Sequence, residues 1–139
     1  MQQHQESLHV ETPGRGLLEL TDQVAAIVAR SACSTGLVTV FCRHTSASLV
    51  LAENADPSAS RDLLSWLARL APDGDPSYSH DAEGPDDMAA HLRTALLRSS
   101  ETIPVRGGEL ALGTWQGLFL AEHRAHPHRR EIVVHVIGT

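Results

Sequence analysis

Aromatic residues are scarce in this chain of 139 residues, at 4% of the sequence. The hydrophobic core must therefore come from leucine, valine, isoleucine and alanine. Cysteine is also rare, and the spacing of Cys33 and Cys42 matches neither a metal-binding pair nor the disulfide pattern of a secreted protein. A domain of this length can bury roughly 68% of its unfolded surface, so folding requires no disulfide or structural metal.

Long hydrophobic runs are absent as well, since no apolar stretch approaches the roughly 18 residues of a membrane span. Residues 1–6 lack the basic start and apolar run of a signal peptide, so the sequence predicts a cytoplasmic protein without a membrane partner. Eleven basic residues against 17 acidic ones give a formal net charge of −6. This balance argues against nucleic acid as a partner, because binding a phosphate backbone needs a basic face.

The hydrophobic pattern is that of a single α+β domain spanning residues 1–139. Thr21 is predicted to cap a helix with a buried stripe of valine and isoleucine. Asp56 followed by Pro57 predicts the start of a second helix, and a third is expected at about 85–98. Strands are predicted at 6–10, 16–20, 37–44, 48–52, 102–105, 109–112, 114–123 and 132–137.

The strand at 37–44 has apolar residues of both parities, which predicts a central strand buried on both faces. Arg106-Gly107-Gly108 predicts a hairpin turn between two of the later strands. The element order as a whole predicts a compact mixed β-sandwich with two or three covering helices.

Nine histidines are unusual in a chain of this length, and their placement is informative about function. His44 follows a predicted buried strand, where functional side chains commonly emerge from a rigid scaffold. It can act as a base, an acid or a metal ligand. Thr45, Ser46 and Ser48 supply hydroxyl and N–H groups that suit a phosphate or carboxylate; the alternative is a turn whose hydroxyls bond to their own backbone.

Asp87 and His91 stand four residues apart on a predicted helix, so they share one face. His91 also borders the apolar stripe of that helix. An acid that holds such a histidine, either Asp87 or its neighbour Asp86, fixes its tautomer and raises its basicity. The alternative is a satisfied half-buried histidine beside two acids that stabilise the helix dipole. We expect the rings of His91 and His44 to lie within roughly 8 Å of each other, in one chain or across a subunit interface.

Several other side chains are candidates on weaker grounds. Trp115 stands between two glycines, which allow close backbone approach, and it can wall a pocket or simply pack in the core. Glu122 shares the parity of inward-facing leucines, and an inward acid is unusual. The histidine-rich segment 124–130 fits no common zinc spacing and is predicted to be a polar loop.

These motifs together resemble the YjbQ-like family, known for secondary thiamine-phosphate synthase activity. The resemblance implies an α+β sandwich, a homotrimer, and a pocket of histidines and acids that subunits can share at their interface. The chain departs from the family by ending in Gly138-Thr139 where members often end in Gly-Glu. The matching stretches, in order, are His44–Ser48, Glu53–Pro57, His80, Gly84–Met88, His91, Ile103–Val105, Leu112–Gly117 and Glu122–Arg124.

Three functions remain open from the residues and the resemblance. The first is a transferase with weak thiamine-phosphate synthase activity on small phosphorylated heteroaromatic substrates, in which Asp86, Asp87 and Glu53 can hold magnesium. The second is a metal-dependent hydrolase with His44, His80 and His91 around zinc or another transition metal. The third is a non-catalytic binder of a phosphorylated metabolite.

The candidate residues fall into two sets. The catalytic candidates are His44, His80, Asp86, Asp87, His91 and Glu53. The substrate-binding candidates are Thr45, Ser46, Ser48, Asn54, Trp115, Gln116, Glu122 and Arg124.

The resemblance predicts an assembly that can be measured directly. Light scattering should give about three times the chain mass of 15.0 kDa, in keeping with the closed symmetry of most homo-oligomers. A stable monomer at micromolar concentration would contradict the prediction and would remove the case for a pocket between subunits.

Overall fold

The computed structural model describes residues 1–139, and it confirms the α+β class with eight strands and three helices. The helices are α1 (Thr21–Ser31), α2 (Pro57–Leu70) and α3 (Asp87–Leu96). The strands are β1 (Gln2–Thr12), β2 (Gly16–Glu19), β3 (Thr35–Cys42), β4 (Ala47–Glu53), β5 (Ser100–Arg106), β6 (Glu109–Leu110), β7 (Gln116–Glu122) and β8 (His128–Gly138).

The strands form two antiparallel sheets that share one aliphatic core. The larger sheet has the order β1-β8-β3-β5-β6, and the smaller has the order β2-β7-β4. Alternate residues of β3, β5 and β8 pack against one face of the small sheet and against Val24, Ile27 and Val28 of α1. The second face of the small sheet is also covered, because Phe119 and Ala121 are buried outside this core and α3 packs on β4.

Of the two helix caps predicted from the sequence, the structure confirms the cap of α2 and contradicts the cap of α1. Asp56 caps α2 as predicted, because its Oδ1 accepts a hydrogen bond from the backbone N–H of Ser58 at 2.9 Å. Thr21, in contrast, lies inside α1, and Leu20 takes the cap position. The Thr21 hydroxyl is engaged elsewhere, since it donates to Glu19 and accepts from the N–H of Leu118. The prediction of a threonine cap is therefore wrong.

Two strand predictions also need correction. In β3 only the parity of Val38, Val40 and Cys42 is buried, whereas Leu37 and Phe41 are 46% and 47% exposed. The outer face of the large sheet has no covering helix, so apolar residues there remain accessible. The predicted polar loop at 124–130 is shorter than expected, because β8 begins at His128, whose N–H bonds to Thr12 of β1.

A buried ion pair joins the two sheets at one end. Glu122 ends β7 and is fully buried, as its inward parity indicated. Its carboxylate accepts hydrogen bonds from the buried Arg130 guanidinium of β8 and from the hydroxyl of Thr12. Burial alone would raise the pKa of Glu122, but the bonds from Arg130 and Thr12 lower it overall. Its hydrogen-bonding capacity is thus used within the fold.

None of the three helices has the length and the apolar composition that a transmembrane helix requires.

Replacing Glu122 with glutamine should destabilise the fold by about 3–5 kcal/mol, because it leaves the Arg130 charge buried without a counter-ion. The matched control is Glu11→Gln, which removes an exposed pair with Arg129 on neighbouring strands and should cost less than about 1 kcal/mol. Urea unfolding of both variants measures the difference. Equal losses in the free energy of unfolding would show that the buried pair stabilises the fold no more than the exposed pair does.

Candidate functional site

The first turn of α3 supplies two buried carboxylates. Asp86 and Asp87 are 5% and 4% exposed. Asp86 stands at the cap position, but its side chain makes no capping bond, and its backbone carbonyl accepts the N–H of Ala90 instead. Both carboxylates therefore remain free to bind side chains from other parts of the chain.

Two histidines converge on one oxygen of Asp87. Oδ2 of Asp87 lies 2.8 Å from Nε2 of His80 and 3.0 Å from Nε2 of His91. The two rings are tilted to each other with centroids 5.3 Å apart. One ligand atom from each of the three residues lies within 4.8 Å of the others, as a shared metal ion requires. We call His80, Asp87 and His91 the histidine cluster.

The tautomer of His91 is fixed from the other side of its ring. Nδ1 of His91 donates to the backbone carbonyl of Thr45 at 2.8 Å, since a carbonyl can only accept. A neutral His91 then has a lone pair on Nε2, directed at the Asp87 carboxylate. Two acceptors at this distance need a cation between them, either a proton on His91 or a metal ion.

Arg124 holds the two aspartates in place. Its Nε donates to Oδ2 of Asp86 at 2.9 Å, its Nη1 to Oδ1 of Asp87 at 2.8 Å, and its Nη2 to the carbonyl of Glu83 at 3.0 Å. Burial opposes ionisation of Asp86, but the Arg124 bond and the N–H of Ala125 lower its pKa to about 2. The pKa of Asp87 is also lowered, because bonds and charge from His80, His91 and Arg124 outweigh its burial. Arg124, predicted to bind substrate, instead uses its guanidinium to bond to Asp86, Asp87 and the Glu83 carbonyl.

A buried serine–histidine pair lies next to Arg124 in the chain. Oγ of Ser48 is 2.9 Å from Nε2 of His123, and both residues are at most 1% exposed. Burial lowers the pKa of His123 to about 4, and the nearby charge of Arg93 adds to the effect. The ring is therefore neutral at physiological pH. Sequence reasoning assigned no role to His123, although it lies in the Glu122–Arg124 stretch, and it missed Arg93, which lies in no motif. The contacts of both side chains join residues far apart in the chain.

His44 does not join the histidine cluster. Its Nε2 accepts the backbone N–H of Glu131 at 2.8 Å, so this nitrogen is already used by the fold. Asp87 takes the place expected for His44 beside His80 and His91. Ser46 is similarly engaged, because its hydroxyl and carbonyl accept from Arg130. Thr45 contributes its backbone carbonyl, while its side chain is exposed.

Four predicted site residues lie at the far end of β4. Glu53 is the last residue of β4, and Asn54 follows it. The strand begins at Ala47, two residues after Thr45, and is about 20 Å long. Gln116 pairs with Glu53, and Trp115 beside it is 64% exposed. Within one chain, the structure therefore does not bring Glu53, Asn54, Trp115 and Gln116 to the histidine cluster.

Side chains packed against Gly117 explain why this position is a glycine. Side chains of Asn54 and Glu19 meet over Gly117, where Nδ2 of Asn54 donates to Oε2 of Glu19 at 3.2 Å. A Cβ on Gly117 would lie 2.7 Å from that Glu19 oxygen and 2.9 Å from Cβ of Asn54. The glycine thus permits a close approach, as expected from its position beside Trp115.

Comparison with known proteins places this fold and motif set in a family. The family model described as UPF0047 protein YjbQ-like matches residues 6–139. The chain belongs to the YjbQ-like family. Among its relatives, a UPF0047 protein of Synechocystis sp. is 52% identical over 136 residues, covering 98% of this chain and 92% of that protein. The UPF0047 protein YjbQ of Escherichia coli O157:H7 is 38% identical, covering 97% and 98%.

Solved structures of other YjbQ-like proteins share the fold. A conserved hypothetical protein of Thermus thermophilus superposes with a TM-score of 0.85 at 38% identity, covering 95% of this chain and 99% of its own. A protein of Sulfolobus solfataricus, with a TM-score of 0.83 and 30% identity, covers 99% and 100% and is described as YbjQ-like and of unknown function. Family membership therefore establishes the architecture and leaves the reaction to be argued from the site.

The buried His123 predicts an acid-sensitive fold. Its pKa rises from about 4 in the folded state to the ordinary 6.5 on unfolding, so the unfolded chain binds more protons between these values. Stability should be full above pH 6.5 and fall as the pH drops toward 4, with a contribution of about 2 kcal/mol lost between pH 7 and pH 5.

Urea unfolding across this pH range tests the assignment. The variant His123→Gln should be less stable at pH 7 and should show a flatter pH profile, whereas His126→Gln, an exposed control, should retain the wild-type slope. An unchanged slope in His123→Gln would refute the role of His123.

Proposed function

We propose that this YjbQ-like protein is a metal-dependent enzyme of the hydrolase type, with the histidine cluster as its metal site. The observation that carries the proposal is that one ligand atom each of His80, Asp87 and His91 lies within 4.8 Å of the others, with His91 held from its second nitrogen by the Thr45 carbonyl. A divalent metal ion at this point would satisfy all three ligand atoms at once.

The donor set fits a transition metal better than magnesium. Two imidazoles and one carboxylate make the three-ligand set of catalytic zinc sites, which keep a further position open. Magnesium prefers oxygen ligands and retains water. The side chain of His80 is 51% exposed, so the open side of the site faces solvent. Zinc bound there would supply Lewis acidity to a substrate oxygen or a water molecule.

The surrounding residues fit the supporting roles that metal ligands require. The Thr45 carbonyl fixes the ring orientation of His91, and Arg124 fixes the carboxylate of Asp87 through the oxygen that does not face the histidines. Asp86 holds the opposite edge of the same guanidinium. The role proposed for Arg124 and Asp86 is thus to position Asp87, with neither one touching the reacting atoms.

A second candidate function is the thiamine-phosphate synthase activity implied by the family resemblance. That reaction joins a thiazole nitrogen to a pyrimidine methylene carbon while the carbon–oxygen bond to pyrophosphate breaks. A cavity of about 320 Å³ supports a phosphorylated substrate, since Arg43, His44, Thr45 and Ser99 line it. Nη1 of Arg43 donates to Glu131 at 2.8 Å. Because Nε2 of His44 accepts an N–H, the proton of its neutral ring is on Nδ1, available to a phosphate oxygen.

The proposal extends to assembly. A homotrimer is supported by the uncovered outer face of the large sheet, where Leu37 and Phe41 remain about half exposed. Such an assembly also offers a way for the Trp115 end of one chain to approach the histidine cluster of another. Sizing in solution, as described above, tests this part independently of any metal.

The substitution His91→Gln separates the metal site from a structural histidine. The variant should lose zinc binding by at least about 100-fold and lose any zinc-dependent hydrolysis or synthase activity, because a ligand is removed. Its thermal stability should fall by only about 1 kcal/mol, since no large apolar area is lost. Zinc titration by calorimetry, with thermal unfolding and activity assays on the same sample, measures all three quantities.

The control is His126→Gln, which changes an exposed histidine outside the cluster and should bind zinc like the wild type. Full zinc affinity in His91→Gln would contradict the metal site. Binding of a phosphorylated metabolite without turnover in the zinc-loaded wild type would favour the non-catalytic alternative.

A further inference from the structure

A cavity of about 320 Å³ opens beside the histidine cluster. It lies between the loop that precedes α3 and the first turn of that helix, and His80 forms part of its wall. A molecule seated in this cavity would therefore contact a proposed metal ligand directly. Its volume is in the range of sites for small metabolites.

The carboxylates of the cavity wall are not matched by an arginine. Asp75 and Asp81 line it together with His80, and no arginine does. All eleven Lys and Arg positions of the chain are arginines, and Arg124, which reaches the neighbouring Asp87, is bound by two carboxylates and a carbonyl. In the metal-free protein, an anionic group in this cavity would meet two carboxylates and no arginine.

Asp75 is fixed in its ionised form. Its Oδ1 accepts the N–H of Ser77 at 2.9 Å and the Ser77 hydroxyl at 2.7 Å, which leaves Oδ2 without a protein partner. The same bonds lower the pKa of Asp75 below its ordinary value. The carboxylate is thus charged and held in position at neutral pH.

An aromatic ring and a thioether complete the wall. Tyr78 lines the cavity half-buried, and its hydroxyl donates to the carbonyl of Pro72 at 2.9 Å, which restrains the ring. Met88, in the first turn of α3, lines the same space. Aromatic rings and carboxylates together are the surfaces that recognise organic cations.

We propose that this cavity binds the cationic part of the substrate, an amine or amidine group on a small organic molecule. The inference rests on the proposed function, because the cavity is assigned to substrate by its contact with His80.

Tyr78 is the single tyrosine of the chain, and this makes a clean test possible. Protein labelled with fluorotyrosine gives one fluorine resonance, which reports on the cavity alone. Benzamidine, benzamide and benzoate have nearly the same shape and carry positive, zero and negative charge. In the metal-free protein, benzamidine should shift the Tyr78 resonance with a Kd at least about tenfold lower than that of benzoate.

The variants Asp75→Asn and Asp81→Asn should each weaken benzamidine binding by about threefold while leaving benzamide unaffected. Asparagine at 75 keeps an acceptor for Ser77, so the loop is preserved. Asp22→Asn on α1, away from the cavity, is the matched control and should change nothing. Equal or tighter binding of benzoate, or benzamidine affinities unchanged in both cavity variants, would overturn the inference.

The outcomes separate this inference from the proposed function. Zinc binding without preference for benzamidine would overturn the cavity assignment and leave the metal site intact. A preference for benzamidine in a protein that fails to bind zinc would support the cation site and contradict the metal-dependent enzyme.

Discussion

The guanidinium of Arg124 is the interaction on which the site depends. It joins the end of β7 to the first turn of α3 and binds Asp86, Asp87 and the Glu83 carbonyl at 2.8–3.0 Å. Two neighbouring carboxylates in a buried position would repel each other without this charge between them. Because Arg124 occupies one oxygen of Asp87, the other oxygen is left to face His80 and His91.

Three consecutive residues at the end of β7 bond to three different parts of the chain. Glu122 points into the sandwich and pairs with Arg130, His123 points away from it and bonds to Ser48, and Arg124 reaches α3. The alternation of a strand places these side chains on opposite faces, and the end of the strand lets the third turn toward the helix. The fold and the site therefore share one short segment.

Local patterns in the sequence predicted much of this arrangement. The helical spacing of Asp87 and His91 predicted their contact, the parity of Glu122 predicted an inward acid, and Asp56-Pro57 predicted the start of α2. These features depend on neighbours within one element. The predicted approach of His44 to His91 rested on extending strand parity beyond Cys42, where β3 ends, and it stays a prediction. The ring of His44 bonds to the N–H of Glu131, while His91 bonds to the carbonyl of the adjacent Thr45.

Features that depend on contacts between distant elements could not be predicted from local sequence patterns. The burial of His123 depends on α3 and β4 closing over it, and the commitment of Arg124 depends on the loop that carries Glu83. The accessible outer face of β3 follows from sheet topology, since no helix covers that side of the large sheet. The separation of Glu53 and Trp115 from the histidines likewise follows from the direction of β4, which family motifs do not encode.

X-ray absorption spectroscopy of the zinc-loaded protein tests whether His80, Asp87 and His91 hold zinc. We expect two imidazole nitrogens at about 2.0–2.1 Å and one carboxylate oxygen at about 2.0–2.2 Å, with one further light ligand. The imidazole signal should fall to one in His91→Gln or His80→Gln. A zinc shell made only of oxygen ligands, or one unchanged in both variants, would contradict a metal site at His80, Asp87 and His91.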